Sequence, residues 1–258
     1  MSTIQLADNH CHLLSKYYKD PEAKIYDLQE SDLKYIVSLG TDFLTNQELL
    51  ILKQKISNGF FKIGLGLHPE EVINLGTLAT YELERIIHQI IQNIDIIDYI
   101  GEIGIDFKYT NAEQYKDLQI LVFQEFCKLA KQLQKPMSIH ARGSFQEIID
   151  IIRSVGFDKN TFNGFLHCFT GSFEHGQALI ENNFKLGIGG IITYKSGADL
   201  RDTVKKLVDY YSGSTLNDLF GLETDSPFLS PEPYRNKTNS PENVKIIAEY
   251  LTQFLSKS

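Results

Sequence analysis

The stretch IGEIGID at residues 100–106 contains the pattern that decides the fold. It is an apolar run with the length of a strand, and its only charge before Asp106 is the carboxylate of Glu102. The segments on either side, residues 81–92 and 113–133, carry apolar residues at helical spacing. A strand between two helices indicates one unit of an α/β fold with a parallel sheet.

The same alternation continues along the whole chain. Strands are predicted at residues 4–9, 35–39, 61–67, 99–105, 137–141, 164–168, 185–191 and 219–224. Helices are predicted at residues 48–56, 81–92, 113–133, 145–154, 173–182, 200–210 and 241–254. Only the first connection, through Tyr17, Tyr18 and Pro21, is poorly defined. Eight such units close into a barrel, and no Gly/Ser/Pro-rich linker divides them, so we expect an α/β protein with a single (β/α)8 TIM barrel domain over residues 1–258.

The composition excludes several classes of protein. A hydrophobic share of 42% with 22% charged residues is typical of a globular protein, and no apolar run is long enough to span a bilayer. The first residues lack a secretory signal, so we expect a cytoplasmic protein without membrane association. Three cysteines without CxxC spacing indicate free thiols rather than a disulfide framework. A net charge of −8 argues against a protein that coats nucleic acid, but it leaves a metal-dependent nuclease open.

The sharpest local motif is DNHCH at residues 8–12, where His10 and His12 lie two apart at the end of the first predicted strand. The period of two in a strand places both imidazoles on one face, where their neutral ring nitrogens could bind a metal ion. The alternative is a pair of polar residues in a loop at the strand end.

Other imidazoles and carboxylates follow the same rule. Glu102, His140, His167 and Asp225 each lie in or directly after an apolar strand run. The catalytic residues of barrels occupy the carboxyl ends of the strands, and an unpaired buried carboxylate is costly. We therefore expect these side chains to meet the two histidines at one mouth of the barrel.

Six segments, in chain order, carry a resemblance to a known family. They are DNHCH (8–12), GLHP (66–69), GEIGID (101–106), IHAR (139–142), HCFTG (167–171) and ETDSPFL (223–229). Together they span nearly the whole chain and resemble the motifs of the TatD family of metal-dependent deoxyribonucleases, within the amidohydrolase-like barrels. Six ordered motifs are far more specific than any single one.

The resemblance implies two divalent cations. One would be bound by His10, His12, Glu102 and Asp225, and the second by Glu102, His140 and His167. Glu102 and Asp225 would be the catalytic residues, with Glu102 bridging the ions and Asp225 acting as the general base. Zn, Mn, Mg and Co all remain candidates, although a histidine-rich set favours transition metals.

Three further residues are candidates for binding substrate. His68 is either a substrate-facing group or a cap at its strand end. Arg142 and Lys195 follow the fifth and seventh predicted strands, where a cation could meet a phosphate, but either could also be an ordinary surface charge.

The sequence departs from the family pattern at positions that matter for substrate. Asn236 and Thr238 stand where the family usually has a glycine and a second basic residue, and Glu70 stands where a histidine is common. Our first hypothesis is a deoxyribonuclease that trims single-stranded or frayed DNA ends exonucleolytically, with no obligatory protein partner. The second is hydrolysis of another bond at the same site, such as an ester, a lactone, a cyclic amide or an ester bond to RNA. The third is a non-catalytic barrel that serves as a binding protein.

Overall fold

A computed structural model describes residues 4–256 of the chain. Eight strands form one parallel sheet in chain order, β1 Asp8–Cys11, β2 Ile36–Leu39, β3 Phe61–Leu65, β4 Tyr99–Asp106, β5 Met137–Arg142, β6 Gly164–Leu166, β7 Phe184–Ile188 and β8 Phe220–Leu222. The segment after β8 closes the sheet onto β1, because Asp225 N donates to His10 O at 2.8 Å and His12 N donates to Ser226 O at 2.8 Å. The predicted (β/α)8 barrel is confirmed.

Helices surround this sheet. In the described part of the chain they are α1 Pro21–Gln29, α2 Phe43–Lys55, α3 Pro69–Leu75, α4 Ala79–Gln92, α5 Lys116–Leu133, α6 Phe145–Val155, α7 Phe173–Ile180, α8 Ala198–Tyr210, α9 Leu216–Leu219 and α10 Val244–Ser256. Single 3-10 turns lie at Gly76–Leu78, Ala112–Tyr115, Gly190–Thr193, Lys195–Gly197 and Pro241–Asn243. Among residues 4–256, no helix has the length and apolar character that crossing a membrane requires.

The first strand–helix unit differs from the prediction. The strand begins at Asp8 rather than at residue 4, because Ile4 and Leu6 pack against the core from outside the sheet and thereby imitate strand alternation. The poorly defined connection contains α1, which begins at Pro21 after the Asp20 side chain accepts from Ala23 N at 3.0 Å.

The floor of the site is an apolar layer inside the barrel. Val37, Leu39, Tyr99 and Phe165 form a buried cluster contributed by even-numbered strands, which is the layered packing of barrel interiors. The register between β4 and β5 shifts after the first residues of β4, so that Glu102 faces the interior above this layer although it lies three residues beyond Tyr99. The polar residues of the site therefore lie directly above an apolar layer.

Candidate metal centre

The two histidines of the first motif are oriented by their inner ring nitrogens. His12 Nδ1 lies 2.9 Å from the carbonyl of Leu39, which can only accept a hydrogen bond. In the neutral imidazole, His12 Nε2 therefore carries a lone pair. His10 Nδ1 contacts Ser138 Oγ at 2.9 Å, and its Nε2 lies 3.3 Å from that of His12. Both Nε2 atoms thus point at the same place.

Two carboxylates complete this first group. Glu102 Oε2 lies 3.4 Å from the Nε2 atoms of both His10 and His12. Asp225 Oδ1 lies 3.5 Å from His12 Nε2 and 3.9 Å from His10 Nε2. All four side chains are buried or nearly so. Carboxylates buried at one point need protons or a cation beside them, and two imidazoles with two carboxylates are a donor set that suits a transition metal.

The other oxygen of Glu102 faces a second group. Glu102 Oε1 lies 3.2 Å from His140 Nδ1 and 3.5 Å from His68 Nε2. Glu102 therefore presents one oxygen to each group, which is the geometry of a bridging carboxylate. His68, Glu102 and His140 bring their ligand atoms close enough together to hold an ion, as do His10, His12 and Glu102.

His167 lies closer to the first group than the predicted ligand set implies. Its ring stacks on that of His10 at a centroid distance of 3.6 Å, and its Nε2 lies 3.8 Å from Asp225 Oδ1. The centroids of the His140 and His167 rings are 6.3 Å apart. The structure thus brings all six predicted ligands to one mouth of the barrel and adds His68 beside His140.

Asp225 owes its position to an unusual backbone conformation. Its φ is 56°, in the left-handed region that costs a non-glycine residue free energy. Hydrogen bonds hold it there, since Asp225 N donates to His10 O and Asp225 O accepts from Phe228 N at 2.7 Å. Such strain at a residue that faces a cluster of titratable groups is typical of a functional site.

The carboxylates and imidazoles of the cluster stabilise each other's charged forms, which shifts their pKa values. Burial alone would raise the pKa of Glu102, but the neighbouring imidazoles, His68 foremost, hold this pKa well below its usual range. Burial would also raise the pKa of Asp225, and the imidazoles, His167 foremost, hold it low. For His167, burial would lower the pKa, but Glu223 and Asp225 raise it to about 10. Without a metal ion, the cluster therefore holds protons that a metal would displace.

Two buried acids support the cluster from behind. Glu223 Oε1 lies 2.9 Å from His167 Nδ1 and accepts from Cys168 N at 2.6 Å. The Asp8 carboxylate accepts from Thr224 N at 2.8 Å and from Thr224 Oγ1 at 2.5 Å. Asp8 thus fastens β1 to the end of β8 and aligns the ligands on both.

Of the three predicted substrate-binding residues, His68 and Arg142 line the cavity and Lys195 does not. His68 is the cap of α3, because its Nδ1 accepts from Glu70 N at 3.2 Å, and its Nε2 faces Glu102. The Arg142 side chain is 61% exposed at the rim of the cavity, 3.7 Å from Asp106. Lys195 is exposed on its 3-10 turn and is not part of the cavity lining. The substrate roles of all three stay predictions.

The cavity also contains residues that sequence reasoning missed. Lys16 and Phe228 line it, and Asp106 Oδ2 lies 3.2 Å from His140 Nε2. The position of Asp106 at the carboxyl end of β4 was a signal that could have identified it. Two tyrosines, Tyr17 and Tyr109, also line the cavity.

Three other aromatic residues that follow strands or lie in the first connection, Tyr18, Phe107 and Tyr194, do not line the cavity. Tyr18 and Phe107 pack against the core. The Tyr194 ring is buried, and its hydroxyl donates to Ser230 O at 2.8 Å. These three rings therefore do not form the wall of the cavity.

Known proteins share this architecture. The model of a family described as "TatD related DNase" matches residues 7–258. The uncharacterized metal-dependent hydrolase YabD of Bacillus subtilis (strain 168) is 30% identical over 249 residues, which cover 96% of this chain and 90% of that protein. A second uncharacterized metal-dependent hydrolase, BU355 of Buchnera aphidicola subsp. Acyrthosiphon pisum, is 32% identical over 256 residues, 96% of this chain and 90% of its own length.

Solved structures agree in fold. The TatD homologue YjjV of Escherichia coli K12 superposes with a TM-score of 0.79 at 23% identity, covering 98% of this chain and 95% of that one. A TatD family hydrolase of Entamoeba histolytica gives a TM-score of 0.77 at 19% identity, covering 99% and 93%. Together with the match over nearly the full sequence and the histidine–carboxylate cluster at the barrel mouth, these likenesses show that the chain belongs to the TatD related DNase family of metal-dependent hydrolases.

Proposed function

We propose that this chain hydrolyses phosphodiester bonds of DNA at single-stranded or frayed ends, using two divalent cations. The observation that carries the proposal is the convergence of His10, His12, Glu102 and Asp225. The Nε2 atoms of the two histidines lie 3.3 Å apart, and each lies 3.4 to 3.9 Å from an oxygen of each carboxylate. His10, His12, Glu102 and Asp225 would hold one ion, and Glu102, His140 and His167 the other. Two cations so held supply charge neutralisation for the phosphate and a water of lowered pKa.

The chain's own residues would divide the remaining work. Asp225 lies on the cavity wall, and its lowered pKa keeps it ionised, so it can accept the proton of the attacking water. Arg142 and Lys16 are the cations of the cavity lining and would hold phosphate oxygens of the strand. The cluster lies inside a cavity of about 460 Å³ at the barrel mouth, a volume that accommodates a nucleotide or a strand end.

One observation favours a second candidate. Glu70, Glu71 and Asp106 also line the cavity, and Tyr109 donates to Glu70 Oε1 at 2.5 Å. This acidic wall repels a polyanion, so it favours a smaller or less charged substrate such as an ester, a lactone or a cyclic amide. Chemistry at the metal centre would be of the same hydrolytic kind.

End-labelled single-stranded DNA tests the first candidate. Metal-loaded protein should shorten the strand, and Asp225→Asn should lower kcat by roughly 10²- to 10⁴-fold, the usual contribution of a general base. Glu102→Gln should abolish both cleavage and metal binding, whereas Glu249→Gln, an exposed residue of α10, should change neither. Cleavage that persists in both site variants would come from a contaminant.

A wild type that is silent on DNA with Mg, Mn, Co and Zn but hydrolyses an ester or a lactone would favour the second candidate.

A further inference from the structure

Two exposed aromatic rings stand together on one wall of the cavity. The Tyr17 side chain is 38% exposed and Phe228 is 45% exposed, and both line the cavity. Their ring centroids are 5.3 Å apart at an interplanar angle of 83°, so one ring offers its face where the other offers its edge. Solvent-exposed aromatic rings that meet inside a cavity are poor choices for stability alone and favour a role in binding.

The pair lies directly beside the metal centre. The centroid of the His12 ring lies 6.4 Å from that of Tyr17 and 6.2 Å from that of Phe228. In a nucleotide, one sugar lies between the base and the phosphate. Here, one imidazole ring, that of His12, lies between the aromatic pair and the metal centre. The Lys16 ammonium lies 4.9 Å from the centre of the Tyr17 ring, which adds a positive charge at the same wall.

Both rings are carried on backbone that is fixed in place. Ser15 donates from its backbone N and its Oγ to the Glu48 carboxylate at 2.6 and 3.0 Å, which fastens the loop of Tyr17 to α2. Phe228 N donates to Asp225 O at 2.7 Å, and Phe228 O accepts from Asn239 Nδ2 at 2.6 Å. A preorganised pair loses little conformational entropy when it binds a planar ligand.

We infer that Tyr17 and Phe228 form a stacking site for the nucleobase next to the scissile phosphate. The inference rests on the proposed function, because it gives a role to the base of the same substrate. Every nucleobase has a π-face, so this site tolerates any sequence, but it requires a base. The rings act on substrate binding and leave the metal centre unchanged.

Oligonucleotides with a tetrahydrofuran abasic residue at each terminal position in turn test this inference. With wild-type protein, the abasic residue at the stacked position should lower kcat/KM by roughly 5- to 150-fold, mainly through KM. Tyr17→Leu and Phe228→Leu keep apolar bulk but lose the ring, so they should lower kcat/KM on the intact strand by a similar factor and leave the abasic strand unaffected. Tyr17→Phe and Phe228→Tyr should retain wild-type values.

The matched control is Tyr26→Leu, which removes a ring of α1 that is 46% exposed and lies outside the cavity lining. An independent readout places the fluorescent base 2-aminopurine at the stacked position, where mixing with wild type should quench it and mixing with the double Leu variant should not. Equal losses on intact and abasic strands, with unchanged quenching, would overturn the stacking site while the nuclease function stands. A wild type that cleaves no oligonucleotide would overturn both.

Discussion

The Nδ1 atom of His167 lies 2.9 Å from Oε1 of Glu223, while the Nε2 atom of the same ring faces Asp225. A carboxylate behind a ligand imidazole fixes its tautomer and makes it a better donor. Glu223→Gln keeps the shape and removes the charge, so it should weaken metal binding by roughly 10- to 100-fold. Calorimetric titration with Mn²⁺ measures this effect, and Glu249→Gln is the control on the outer surface. An unchanged affinity would show that Glu223 only fills space.

Gly187 of β7 makes room for that same carboxylate. A Cβ built at Gly187 would lie 2.2 Å from Glu223 Oε2, whereas at Gly213 it would meet nothing within 4 Å. Gly187→Ala should therefore displace Glu223 and reduce both metal content and activity, and Gly213→Ala should preserve both. Metal content determined by mass spectrometry checks this expectation. Full metal loading of Gly187→Ala would contradict the account of a crowded carboxylate.

Thr224 and Asp8 join the two ends of the barrel. Thr224→Val keeps the side-chain volume but leaves Asp8 Oδ2 without its 2.5 Å donor in a fully buried place. Such a loss costs about 1–3 kcal/mol of the free energy of unfolding, and more when the group is charged. Urea denaturation measures it, with the exposed Thr252→Val of α10 as the control. Equal stability of the two variants would contradict the role of this contact in closing the barrel.

The pH dependence of stability should differ between the metal-free and the metal-bound protein. Folding raises the pKa of His167 from 6.5 to about 10, so its contribution is fully present below about 6.5 and is lost as the pH rises toward about 10. Metal binding requires unprotonated imidazoles, so the stabilisation by metal should grow over the same window. The Tm of chelator-treated protein should fall with rising pH, and the gain in Tm on adding Mn²⁺ should increase.

Variants of single histidines test which residue causes the Tm of the metal-free protein to fall with rising pH. His167→Gln should reduce the pH dependence of the metal-free protein, and the raised pKa values of His12 and His140 should account for part of the remainder. His88→Gln, exposed on α4, is the control. A metal-free Tm that stays level or rises between these pH values would contradict the protonated state of His167.

The barrel and the strand-end residues could be predicted because both depend on local pattern. Short apolar runs define the strands, and the carboxyl ends of parallel strands meet at one mouth, so Glu102 and Asp225 could be brought together across 123 residues of sequence. The proximity of His68 Nε2 to Glu102 and of His167 Nε2 to Asp225 could not be predicted, since it depends on which carboxylate oxygen each ring meets in the folded barrel.

The positions of cavity residues on loops could not be predicted from hydrophobic periodicity. Lys16 reaches the cavity because its loop is fastened to α2 by Glu48, and Phe228 because a turn begins at the strained Asp225. Neither connection has a periodic signature. Lys195 also follows a strand, but its 3-10 turn Lys195–Gly197 lies outside the cavity lining, so its substrate role stays a prediction.

Anomalous diffraction from crystals grown with Mn²⁺ tests the central claim most directly. Two peaks should lie at the barrel mouth, one against the Nε2 atoms of His10 and His12 and one beside His140, with a carboxylate oxygen of Glu102 on each. No peak at this mouth, or peaks bound only by surface carboxylates, would contradict a metal-dependent hydrolase centred on Glu102.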